Sequence, residues 1–163
     1  MEATTLLNEQ NKKETKFTSK RDYGHQLLDV FVGKWKTTGH TSPGALGPST
    51  KIIGTDTYAW LPGGFFLVHR VDVRLNNEGM KALEIIGFDV PNQSYWTHAY
   101  DSLGNYNTYR ASVQDGVWSF EKEGERATVL FSDTGKSMTI KWEKSNDKTG
   151  WVPWMDMELT RIE

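Results

Sequence analysis

The chain has 163 residues, a length that suits one domain with a real apolar core. Nineteen Lys and Arg against 21 Asp and Glu leave a net charge of −2, so no basic surplus exists to hold a phosphate backbone and nucleic acid is not an expected partner. The absence of Cys excludes disulfides, thiolate catalysis and thiolate metal sites, while 12% aromatic residues and 15 Gly point towards β structure.

No apolar stretch approaches the ~20 residues of a membrane span. Residues 1–17 lack the basic and apolar regions of a secretory leader, so the chain is read as cytoplasmic. Residues 1–20 are polar and mixed in charge and are expected to form a flexible tail before a single domain over 21–163.

From Asp22 to Val32 the apolar residues Leu27, Leu28, Phe31 and Val32 fall on one stripe of a short helix. Asp22 stands at its N-cap position and Gly33 at its end. Beyond Gly33 the period changes to two. Runs at 33–41, 51–60, 65–74, 80–89, 94–102, 106–113, 117–122, 126–132, 136–144 and 151–162 read as strands, each bounded by turn residues. Asp115-Gly116 is the strongest hairpin signal among them. About ten strands with short connections imply antiparallel neighbours, which must close into a barrel or stack into a sandwich to hide their edges, and the sequential hairpins without a long crossover favour the barrel. The predicted fold is an all-β, antiparallel up-and-down barrel with a short N-terminal helix.

Residues two apart share a face of a barrel wall. In the third run Phe65, Leu67, His69, Val71 and Val73 share one face, and the opposite face carries three charges. His69 is therefore placed in the lumen. Glu84 shares a face with Ala82, Ile86 and Phe88, where a carboxylate needs a partner. Trp96, His98 and Tyr100 form a bulky, amphipathic set of the kind that lines a pocket. Tyr58 shares a face with Asp56 and Trp60, and Tyr109 and Trp118 add to the wall. The candidate ligand site is thus His69, Glu84, His98, Tyr58, Tyr100, Tyr109 and Trp118. The plainer alternative is that each imidazole is a satisfied core or rim group and that Glu84 pairs with an Arg.

The four His residues show no HxH or HExxH spacing, so no metal site is expected. No GxSxG is present. Gly135-Lys136-Ser137 resembles the end of a phosphate loop, but position 130 is Leu where that motif needs Gly. The charged run Glu121-Lys122-Glu123-Gly124-Glu125-Arg126 reads as a solvated hairpin tip. Acid–base chemistry by His69 or His98 with Glu84 or Asp56 is chemically open.

Gly33-Lys34-Trp35 after a short helix resembles the GxW signature that opens calycin barrels, of which the lipocalins are one group. In those folds the Trp closes one end and stacks on an Arg from a late strand, which implies Trp35 with Arg161, or Arg126 failing that. Further segments resemble the DUF1579 family of bacterial proteins without an assigned function. They are Gly54-Thr55-Asp56, Trp60 to Leu67 (WLPGGFFL), Ile85 to Asp89 (IIGFD), Tyr100 to Gly104 (YDSLG) and Trp151 to Asp156 (WVPWMD). The resemblance runs from about residue 26 to 162. It implies a calycin-like barrel and carries no catalytic residues across. Haem-binding nitrobindin barrels, a related group, ligate iron through a His near the C-terminus. No His follows His98 here, and no cofactor is expected.

The reading is a barrel that holds a small apolar or aromatic ligand, with a homodimer possible. An enzyme using a lumen His–carboxylate pair (isomerase, cyclase or hydrolase) and a solid barrel acting as an interaction protein stand as alternatives.

Overall fold

In a computed structural model, which describes residues 20–44, 47–146 and 150–163, ten antiparallel strands follow one short helical segment. The strands are β1 (Gly33–Thr41), β2 (Lys51–Trp60), β3 (Phe66–Leu75), β4 (Glu78–Asp89), β5 (Ser94–Asp101), β6 (Tyr106–Gln114), β7 (Val117–Lys122), β8 (Glu125–Phe131), β9 (Ser137–Asn146) and β10 (Gly150–Arg161). Each strand pairs with the next in sequence, and β10 pairs back onto β1, so the sheet is a closed up-and-down barrel. The tail expected over residues 1–20 lies, but for Lys20, outside the described residues.

The helical segment is α1 (Tyr23–Leu27), continued by a 3₁₀ turn over Leu28–Phe31. Asp22 caps it in both directions. Its carboxylate accepts the Gly24 N–H at 3.1 Å, and its own N–H donates to His25 Nδ1 at 3.0 Å. Gly24 is required by packing rather than by a turn. A Cβ there would stand 2.1 Å from the Phe88 ring, and the Gly24 carbonyl accepts the Tyr95 hydroxyl.

This segment plugs the barrel end where β1 begins and β10 finishes. Leu28 and Phe31 are buried there among Trp35, Tyr58, Trp118 and Phe131. Trp35 is fully buried, and its indole N–H donates to the Phe31 carbonyl at 2.8 Å. Arg161 lies over that indole, 4.1 Å from the ring centroid. Its guanidinium also donates to the carbonyls of Val30, at 2.9 Å, and Val32. One cation thereby ties the plug, the first strand and the last strand together. Gly33, at φ +137, turns the chain from plug to β1 directly against the Arg161 guanidinium.

Candidate functional site

Above the plug the lumen is open. A cavity of about 660 Å³ extends to the opposite end of the barrel, where β4 begins and β5 finishes, and there its lining includes the exposed Leu103 and Tyr106. Its walls are mainly apolar and aromatic, with Val71, Ala82, Val129, Ile140, Trp142 and Met157 among them.

Three neighbouring strands bring the principal polar group together. The antiparallel registers set Asp56 of β2, His69 of β3 and Glu84 of β4 within reach of one another, all pointing inward. His69 Nε2 lies 2.6 Å from Asp56 Oδ1, and His69 Nδ1 lies 2.9 Å from Glu84 Oε2. The Thr37 hydroxyl donates to the other Asp56 oxygen. The Tyr58 ring stacks on the imidazole with centroids 3.9 Å apart.

Burial alone would lower the His69 pKa. The hydrogen bonds and charges of Asp56 and Glu84 outweigh it and hold the imidazole up at about 9. At neutral pH His69 is therefore an imidazolium donating both N–H groups. Burial, reinforced by the charges of Asp56 and Glu84, pushes the Tyr58 phenol well above its ordinary range. Tyr58 is thus neutral.

A second polar group stands nearer the mouth. Tyr109 donates its hydroxyl to Glu125 Oε2 at 3.0 Å. Burial, then the Glu125 charge, raises the Tyr109 pKa. Lys122 and Lys144 approach Glu125 at 3.3 Å and 3.8 Å. The Lys144 ammonium also sits 3.7 Å from the centroid of a Trp154 ring.

His69, Glu84, Tyr58 and Tyr109 all line the cavity. Glu84 takes His69 as its partner rather than an Arg. Trp118 is inward but belongs to the floor. It is buried against Phe31, Tyr95 and Phe120, below the cavity.

His98 and Tyr100 need correction. On β5 it is Tyr95, Thr97 and Ala99 that point inward, and Trp96, His98 and Tyr100 that point out. There they form an aromatic ladder with Tyr106, whose hydroxyl lies 2.8 Å from His98 Nδ1. Tyr95, packed between Phe88 and Trp118, fills the floor end of this inner face, and above it Ala99 and Asp101 line the open lumen. The bulkier set is left to the outside.

The charged hairpin at 121–126 also differs from expectation. Gly124 makes the turn at φ +78. Alternation then sends Lys122 and Glu125 inward to the cavity mouth, not into solvent. Asp56 is the further residue that completes the polar group, and its alternation with Tyr58 is the sequence signal for it. Trp154 enters the lining through a β-bulge. The β9–β10 register shifts between Pro153 and Met155, so Trp154 and Met155 both line the cavity.

A family model described as "Protein of unknown function (DUF1579)" matches residues 20–142. No curated protein matches the sequence. Among solved structures, Rv2717c from M. tuberculosis is similar at a TM-score of 0.64 and 12% identity, covering 88% of this chain and 100% of that one. The S-type phycobiliprotein lyase CPES from Guillardia theta is similar at 0.61 and 9% identity, covering 88% and 94%. Both likenesses are of fold. No helix among the described residues is long and apolar enough to cross a membrane.

Proposed function

We propose that this chain, which belongs to the DUF1579 family, binds a small, largely apolar or aromatic ligand in the lumen of its barrel. The carrying observation is the cavity of about 660 Å³, walled by apolar and aromatic side chains and set with few polar groups. Affinity comes from apolar burial at roughly 25 cal/mol per Å², with orientation set by the row Tyr58–His69–Glu84. A barrel of this shape is also the fold of a phycobiliprotein lyase, a likeness of fold that names no ligand here.

The enzyme reading has one observation in its favour, a histidine bonded to carboxylates inside a cavity. Both ring nitrogens are engaged, and an imidazolium has no lone pair to take a substrate proton. That weighs towards binding. A solid barrel working only through its outer surface gains no support from an open lumen of this volume.

Native mass spectrometry of protein purified from its own host without denaturant tests the reading. The expected result is an adduct of discrete mass on the chain. A bare chain that also takes up no apolar probe in solution would end it.

A further inference from the structure

Resting on the lumen-binding reading above, we infer that the ligand presents a protonated amine to Glu84, on an aromatic or aliphatic body that fills the cavity above the plug.

The first argument is charge. Asp56 and Glu84 are two carboxylates sharing one imidazolium, so the row carries one net negative charge in a partly buried lumen. The other lumen cations are engaged elsewhere. Lys122 and Lys144 both stand on Glu125 near the mouth, which gives that group one net positive charge. A buried surplus charge is costly unless paired, and among the described lumen residues the further cations, Lys122 and Lys144, stand on Glu125 rather than on this row. Inside the lumen the two groups set a field that pulls a cation towards Glu84 and an anion towards Lys122 and Lys144.

The second argument is hydrogen bonding. Asp56 spends its oxygens on His69 and Thr37, and Tyr109 spends its hydroxyl on Glu125. Glu84 uses Oε2 for His69, and Oε1 has no partner among the described residues. The Tyr58 hydroxyl likewise has none, although Tyr58 is only 5% exposed. The two unpartnered acceptors flank His69 on either side, in the cross-strand row Tyr58–His69–Glu84. An ammonium brings three N–H donors and one positive charge, and so matches both deficits. A carboxylate ligand would meet like charge there.

A matched series on one apolar body separates these chemistries. Naphthylmethylamine, naphthylmethanol and naphthoate are titrated into the full chain at neutral pH, followed by calorimetry. The expected order is amine, alcohol, acid, with the amine about tenfold or more tighter than the alcohol. Glu84→Gln keeps the side-chain shape and an acceptor for His69. It should remove most of the amine's advantage, bringing the amine-to-alcohol affinity ratio down to within about twofold of one. Equal binding of all three, a preference for naphthoate, or an amine preference that survives Glu84→Gln overturns the amine while leaving lumen binding standing. Binding of none of the three overturns both. If Glu84→Gln does not fold, the amine-to-alcohol ratio of the unaltered protein decides: a ratio of about tenfold or more upholds the amine, and a smaller one overturns it.

Discussion

His69 Nε2 stands 2.6 Å from Asp56 Oδ1, and that contact makes the imidazole a fixed cation in a cavity wall rather than a titrating base. Its consequence is a pH-dependent stability of known sign. The folded-state pKa of about 9 lies above the ordinary value of 6.5, so the stabilisation is complete below about pH 6.5 and is lost as pH rises through about 9. A displacement of that size corresponds to roughly 3 kcal/mol. Urea midpoints measured from pH 6 to 10 should fall with rising pH. The His69→Gln profile, which shares every other titrating group, should fall less. Superimposable profiles would remove the imidazolium assignment.

Asp56→Asn probes the same contact from its other side. It leaves the imidazole with one carboxylate instead of two and breaks the charge-assisted bond to Thr37. The His69 ring resonances should then titrate at a clearly lower pH than in the unaltered protein. The substitution should also cost on the order of 1–3 kcal/mol. An unmoved titration would mean that Glu84 alone holds the proton.

Arg161→Ala should be among the more damaging surface-accessible substitutions. It removes the cation over Trp35 and two bonds to the carbonyls that end the plug. An order of 2–4 kcal/mol is expected, with Arg161→Lys recovering only part, because an ammonium cannot both lie flat on the indole and reach both carbonyls. Chemical denaturation checks this. Full recovery by Lys would show that charge alone matters at this position.

Filling the lumen should separate binding from folding. Val71 lines the cavity on β3, on the same face as His69. Val71→Trp puts an indole into empty space, so the barrel's circular dichroism should persist at a stability change within about 1–3 kcal/mol. Uptake of naphthalene-bodied probes should drop by about an order of magnitude or more. Undiminished uptake would move the binding site out of the barrel.

The barrel itself was legible because its signals are local. The Asp22 cap, the period of two after Gly33 and the Asp115-Gly116 turn, both of whose residues take positive φ, each act over a few residues. The lumen positions of His69 and Glu84 followed from alternation along strands without irregularities. What alternation could not give is which of two plausible faces is inward. On β5 the outer face is the more aromatic one, because Trp96, His98 and Tyr100 pack on one another and on Tyr106 outside the wall. Lys122 and Glu125 resemble solvated charges in sequence, and only the closure of β7 and β8 beside Tyr109 makes them lumen groups. The bulge after Pro153 inserts one residue into β10 and so brings Trp154 into the lining, a shift that no periodicity records.

The pairing of β1 with β10 leaves the sheet without a free border. Among the described strands none can be extended by a strand from another polypeptide, so a partner of the barrel wall reads side chains. Arg161, which belongs to β10 and grips both Trp35 and the plug, holds this closing pair to the barrel end.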